Sequence, residues 1–505
     1  MADSYLTVDR GQQFLLPPDM RDWLDPDHLV FFLLDVLESL DLSVLHRGRV
    51  GGVGRRGYDP EVLLAVLLYG YCSGVRSSRK LELLCGVDVA FRVIAGGYLP
   101  DHTTIARFRN EHGCDAEEVF VRVLELCAAA GLVDVGVVAI DGTKMAGDAS
   151  INRNRTREWV EKAFAEAEEV DAAEDVEYGE GRGDELPAEW RAGEGRKDRI
   201  RAVLEEMDER RRVEQEAMES DDAAWVERVE RAGANGKLPT GKRPRYREVE
   251  AARESLDAAL KERAEMMAAR QARIDGGERI RGAAPKEEGT AVRVRRKRLA
   301  DAIERAETHA AKAGKELKAN LTDPQSRVMP TKGKGWVQGY NAQAAVTEDG
   351  FVVAAEVFNV PGDVDLAEPM MAQTVTNSAA ARAGDVGTVL FDAGYFSEAN
   401  ITMPGPKRLI AFAKSHRMKK TDPTIGPPPA GVSPVEAMRH EMRTPEGAET
   451  YAKRQHVVEP VFGDWKHLRN FRRFSLRSLE KVNAEWRLQA TAHNIAKAHR
   501  IGMAI

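Results

Sequence analysis

The chain has 505 residues, 43% of them hydrophobic and 31% charged, enough for two or three domains of about 100–200 residues each. Its formal net charge, 74 − 81 = −7, excludes a uniformly basic nucleic-acid coat but not a local basic groove, because the placement of charge matters more than its sum. Four cysteines, Cys72, Cys85, Cys114 and Cys127, make no CxxC pair, which excludes a zinc module or disulfide scaffold and predicts free thiols.

The opening Met-Ala-Asp-Ser-Tyr has no basic stretch followed by an apolar one, so no signal peptide is expected. The best apolar run, Leu29 to Leu37, carries Asp35 and is too short for a bilayer; a cytoplasmic protein is expected. Residues 1–134 predict an all-α domain. Asp59-Pro60-Glu61 opens a helix with a capping carboxylate, a first-turn proline and an acid at the positive dipole end; Gly74 closes it. A second helix is predicted from Arg79 to Leu84, ending at Cys85-Gly86. A third opens at Pro100-Asp101-His102-Thr103-Thr104, and a fourth covers Asp115 to Ala130. Arg107 and Arg109 are placed on one amphipathic face of the third. Helix-turn-helix organisation and an ordinary bundle fit this pattern about equally.

Val135 to Ile140 is a β-rich run ending at Asp141. Composition then shifts: residues 151–330 hold 25 Ile, Leu, Val or Phe in 180 positions, about 14%, below the roughly 20% that supports a packed core. Long solvated helices, an antiparallel hairpin or a coiled coil over 151–320, are expected, with breaks at Tyr178 to Gly183, Gly233 to Pro244 and Gly276 to Gly289. Beyond them, Gln338 to Thr347 and Phe351 to Phe358 read as strands joined by Glu348-Asp349-Gly350. A helix over Leu366 to Arg382, strands Gly387 to Phe391 and Arg408 to Phe412, and helices over Tyr451 to Asn470 and Ser478 to Arg500 complete the chain.

Two aspartates close apolar strands: Asp141 after Val-Val-Ala-Ile and Asp392 after Thr-Val-Leu-Phe. In an open α/β sheet such positions border the ligand crevice, and a buried carboxylate there is costly unless a cation meets it. A strand-end Asp is also a common turn residue, so the pattern alone leaves cap and ligand both open. With Glu459 on a downstream helix, the trio offers hard oxygen ligands to Mg²⁺, with Mn²⁺ as substitute, in a two-ion site. Lys466 lies two helical turns beyond Glu459, on nearly the same face.

Four segments sharpen this: Asp141-Gly142-Thr143-Lys144, Gln338-Gly339-Tyr340-Asn341-Ala342-Gln343, Asp392-Ala393-Gly394-Tyr395-Phe396 and Val458-Glu459-Pro460-Val461-Phe462-Gly463. In that order they resemble the bacterial insertion-sequence transposases of the DDE class. Arg76-Ser77-Ser78-Arg79-Lys80-Leu81 and Pro100 to Ile105 resemble the InsH-type N-terminal domain. The resemblance implies an α/β RNase H-like catalytic core with a mixed sheet (135–150 and 321–505), an all-α N-terminal domain and a long helical insertion. It implies Asp141, Asp392 and Glu459 as catalytic, metal-binding carboxylates, and Tyr451, Arg454 and Lys466 as the remainder of the family signature. Lys466, Arg469, Arg472 and Arg473, interleaved by Phe471 and Phe474, read as a DNA-backbone strip, with Arg107 and Arg109 as further DNA contacts. The partners implied are double-stranded DNA (terminal inverted repeats and target) and a second copy in a homodimer, with nucleoid association. Two alternatives stay open: an RNase H-like nuclease without strand transfer, and a non-enzymatic DNA-binding scaffold.

Overall fold

The computed structural model describes residues 19–46, 57–113, 115–166, 194–234, 245–277, 289–313, 317–331, 335–413 and 422–503. Cys114, the expected break at Tyr178 to Gly183 and most of the other two breaks lie outside them. Residue contacts divide the chain into two units, one of residues 1–153 with 322–505 and the other of 154–321.

The first unit is built on a mixed sheet. Strand β1 (Val137–Ala146) pairs antiparallel with β5 (Trp336–Thr347), from Val138 opposite Thr347 to Ala146 opposite Gly339. Strand β6 (Val352–Phe358) returns antiparallel beside β5, through a turn whose Gly350 adopts φ 79°, a conformation that a Cβ disfavours. On the other side, β7 (Thr388–Phe391) runs parallel to β1, and β8 (Lys407–Ile410) parallel to β7. The short β4 (Arg327–Pro330) pairs with the start of β5. Alternate residues face opposite ways. Val138, Ile140, Val389 and Phe391 enter one apolar cluster, Ala139 and Leu390 the other. Both faces are covered, hence the unbroken apolar runs of these strands.

Among the described residues, six α-helices precede the sheet: α1 (Leu29–Ser39), α2 (Pro60–Cys72), α3 (Ser78–Val87), α4 (Val89–Ile94), α5 (His102–Glu111) and α6 (Ala116–Ala129). Asp59, Asp88 and Asp101 cap α2, α4 and α5 by accepting from first-turn amides. The sequence pattern passes over α4, because Asp88 restarts a helix one residue after α3 ends. These helices share their core with the sheet: one cluster includes Leu33, Leu68, Val138, Phe391 and Leu488. Cys72, Cys85 and Cys127 are free thiols. Among the described residues, no helix is long and apolar enough to cross a membrane.

The second unit begins and ends in a two-stranded ribbon, β2 (Asn154–Thr156) against β3 (Lys318–Asn320). It contains α7 (Glu194–Ala234), α8 (Arg245–Asp275) and α9 (Thr290–Ala313). Its cores are small: Val160, Ile200, Val203, Met207 and Ala319 form one, and Leu256, Ala259 and Val292 another. Long helices with narrow apolar contacts follow directly from so few large apolar residues.

Among the described residues, the longer helices that follow in the first unit are α10 (Ala367–Ala380), α11 (Pro434–Glu441), α12 (Pro445–Gly463) and α13 (Leu479–Arg500). Helix α13 is buried nearly all round and covers the open edge of β6. Asn483 accepts from the Val357 amide at 2.6 Å and donates to its carbonyl at 3.1 Å. Asn494 does the same at Val352, at 2.9 and 2.8 Å. Eleven helical residues rise about 16.5 Å and five strand residues span about the same, so two asparagines three turns apart reach the backbone at both ends of the strand.

Candidate active site

Strand β1 does not stop at Asp141 as expected. It continues to Ala146, because β5 pairs with it throughout and sets Ala344 opposite Asp141. Gly142 permits this: a Cβ there would lie 2.1 Å from Gln343 Nε2. What ends is the parallel pairing, whose last pair is Ile140 with Phe391. Asp141 and Asp392 therefore follow directly on neighbouring parallel strands, which lie about 5 Å apart. Each carboxylate is held locally, Asp141 Oδ1 by the Gly142 amide and Asp392 Oδ1 by the Gly394 amide, both at 2.7 Å.

Helix α12 starts at Thr444, whose hydroxyl accepts from the Gly447 amide, and carries three of the expected residues to this point. Arg454 Nη2 lies 2.9 Å from Asp141 Oδ2 and 3.7 Å from Asp392 Oδ2. Burial by itself would push the guanidinium pKa down; the neighbouring Asp141, Tyr451, Asp392 and Glu459 hold it above its ordinary value instead. Glu459 is exposed, five residues further along the helix. Tyr451 is pushed up to about 12, chiefly by burial, with Arg454 opposing and Asp392 and Asp141 adding to the rise.

Past Pro460 the helix widens into a π-turn over Asp464–Leu468. From it the Lys466 ammonium donates to Thr143 Oγ1. Thr143 is two residues beyond Asp141 and so on the same face of β1. The structure thus gathers Asp141, Asp392 and Arg454, with Tyr451 on the same helix and Lys466 on Thr143; Glu459 is exposed on that helix and makes no hydrogen bond or ion pair with Arg454 or either aspartate among the described residues.

The basic strip is different from its linear reading. Arg469 is buried, its Nε 2.9 Å from Asp464 Oδ2, so it is spent on an internal pair. Phe471 and Phe474 are core residues packed on Trp486, not an exposed interleaving. Arg472 and Arg473 are exposed, but Arg473 reaches back to the Gly147 carbonyl at 3.0 Å and to Asp148 at 3.4 Å. Arg107 and Arg109 do not share a face. Two residues apart on a helix means about 200° of rotation, so Arg107 is exposed while Arg109 is buried and donates to the Arg76 carbonyl at 2.9 Å.

One group beside the site was not singled out from sequence. Asp363 Oδ1 receives Lys144 Nζ at 3.0 Å, Asn341 Nδ2 at 2.8 Å and Gln343 Nε2 at 3.2 Å. Tyr395 in turn donates to Gln343 Oε1. A Cβ on Gly394 would come within 2.9 Å of Asp392 and 3.3 Å of Asp363, so the two carboxylates flank one glycine. The available signal was Asn341 and Gln343, amides on alternate positions of the strand among Ala342, Ala344 and Ala345, both fully buried. Buried amides at that spacing need a common partner.

Two family matches bracket this unit. A transposase domain (DUF772) matches residues 18–111, the segment of α1 to α5, and a transposase DDE domain matches residues 427–499, the segment of α11 to α13. No curated protein and no solved structure matches the chain. A transposase domain matched toward each end, and two strand-end carboxylates meeting an arginine of the matched DDE segment, support an insertion-sequence DDE transposase.

Proposed function

We propose that the chain cleaves DNA at the inverted ends of an insertion sequence and joins the freed 3′-hydroxyl to target DNA, using Asp141, Asp392 and Glu459 as the metal-binding carboxylates of an RNase H-like core. The observation carrying this is the convergence of Asp141 and Asp392 on one guanidinium of the helix that bears Glu459. The strand order supports the fold: β6, β5 and β1 antiparallel, then β7 and β8 parallel to β1.

The residues fit divalent cations. Two adjacent carboxylates already demand a positive partner, and their oxygens are the hard donors that Mg²⁺ or Mn²⁺ selects. When bound, a pair of such ions would supply an activated oxygen nucleophile and stabilise the leaving oxygen. The protein's own part is positional. The Gly142 and Gly394 amides fix one oxygen of each aspartate, leaving the other toward the site. Lys466 sits over Thr143 as a point charge for a phosphate oxygen beside Asp141. Arg454 neutralises the aspartates in the chain by itself, and the family resemblance adds a homodimer that holds two DNA ends together.

The test uses Asp141→Asn, Asp392→Asn and Glu459→Gln with a duplex carrying the element's end. Cleavage should fall at least about 100-fold in each, since even outer partners of a metal ligand cost about 10–100-fold. Binding of the duplex should persist. A variant that still cuts at the wild-type rate removes its residue from the site, and wild-type cleavage without any joined product favours a nuclease.

A further inference from the structure

Away from the carboxylates, a cavity of about 650 Å³ opens where α3 and α5 meet the segment before α13, with Arg76, Ser77, Ser78, Arg79, Arg109 and Ser475 in its wall. Among the described residues, no aspartate or glutamate lines it. Arg76 is committed to the fold: it pairs with the fully buried Glu485 at 3.2 Å and donates to the Arg473 and Asn470 carbonyls. The other two arginines are surplus. Arg79 makes no ion pair among the described residues, and its side chain is exposed at the start of α3. Arg109 is 8% exposed, yet its buried Nε has no hydrogen-bond partner.

Neutral donors point the same way. Helix α3 has ten residues, and Ser77 at its N-cap makes no side-chain capping bond, so its first-turn amides have no side-chain acceptor from that residue. The buried Ser78 hydroxyl also has no partner. Two guanidinium groups that make no ion pair among the described residues (Arg109 donates to the Arg76 carbonyl through Nη1 and has its Nε left over), an unsatisfied hydroxyl and a positive helix end describe a seat for a singly charged, oxygen-rich anion. Its wall joins the segment that carries Arg472 and Arg473 through the Arg76 bonds, and the same segment begins beside Lys466 at Thr143.

We propose that this cavity holds a backbone phosphate of the DNA on which the chain acts, with Arg79 and Arg109 as its charges and Ser78 and the α3 amides as its neutral donors. The assignment rests on the proposed function only in taking DNA as the substrate. It places a second DNA contact on the N-terminal helices, apart from the carboxylates.

The experiment measures affinity of the full chain for a short duplex of arbitrary sequence across a salt series. Arg79→Ala should weaken binding alike for all sequences and lower the slope of log K against log salt by about 0.9, the loss of one phosphate contact. Ser78→Ala should weaken binding without changing the slope, and Arg92→Ala, an exposed arginine on α4, should match wild type. Thermal melting confirms that each variant folds. An unchanged slope in Arg79→Ala, with salt-dependent binding intact in wild type, overturns the cavity and leaves the proposed function standing. A wild-type chain with no salt-dependent DNA binding overturns both. If inorganic phosphate at fixed ionic strength stabilises wild type but not Arg79→Ala, and the two bind duplex equally, the seat is for the free anion and the DNA assignment falls.

Discussion

Arg454 shows how one side chain can satisfy a site that is otherwise too negative. Asp141 is mostly buried, while Asp392 beside it on the parallel strand is 37% exposed, so it is the Asp141 charge above all that needs a cation between them. Removing the guanidinium should therefore do more than remove a contact. In the presence of a chelator, Arg454→Ala should lose about 3–5 kcal/mol of unfolding free energy, the usual cost of breaking a buried pair from one side. Denaturant titration reads this directly, and a loss under about 1 kcal/mol, the size of a surface pair, would show that the aspartates do not depend on it. Added Mn²⁺ should raise the variant's melting temperature more than that of wild type, because no guanidinium then competes for the same oxygens. Gly142 and Gly394 belong to the same argument, since a side chain at either would press on Gln343 or on Asp392 and Asp363.

At the level of elements, the π-turn after α12 is tied to α13 by a buried polar cluster. Trp465 Nε1 donates to His493 Nδ1 at 3.1 Å, and His493 Nε2 faces the Gly350 carbonyl at 3.1 Å, so the ring is held neutral with its proton on Nε2. Asp464 lies 3.6 Å from Nδ1 and is itself shared with Arg469. Burial pushes the His493 pKa below its ordinary value, more than the nearby Asp464 carboxylate lifts it. A depressed folded pKa means that the unfolded chain takes up a proton first. Stability is then full above about pH 6.5 and declines as the pH falls toward the folded pKa, by at most about 1.4 kcal/mol per pH unit for one proton. His493→Asn should flatten this decline between pH 7 and the acid limit of folding. An equally steep decline in the variant would assign it to other groups. Since Lys466 rides on the same π-turn, acid loosening of this cluster should also blunt its contact with Thr143.

For the molecule as a whole, the notable economy is that the 154–321 unit leaves and re-enters the chain at one place. Asn154 pairs with Asn320, so the flanking residues are about 5 Å apart across the ladder. Replacing 154–321 by a short glycine-rich loop should leave the other unit folded, with a single cooperative melt within about 4 °C of its transition in the full chain, the shift of a roughly 1 kcal/mol change. An aggregated product, or one without a cooperative transition, would show that the sheet needs the insertion. The N-terminal helices are not separable in this way: their apolar residues run into the same cluster as β1 and α13.

Most of the elements, their order and the strand-end position of the two aspartates were readable from the chain because they are local; α4 and the short β4 were not. Caps such as Asp59 and Asp101, the hairpin glycine Gly350, the paired strand-end aspartates and the scarcity of large apolar residues over 151–330 each act within a few positions. Exposure was not readable in the same way. Arg469, Phe471 and Phe474 look like a solvated basic strip and are core, while Arg107 and Arg109 part company, because burial depends on what packs against a helix from elsewhere. The hydrogen bonding of Asp363 and of the two asparagines of α13 depends on partners at least 20 and more than 125 residues away. Only pairing register could set Asp141 beside Asp392 across a separation of 392 − 141 = 251 residues and lay Arg454 against both, since register is a property of strands brought together and not of either strand alone.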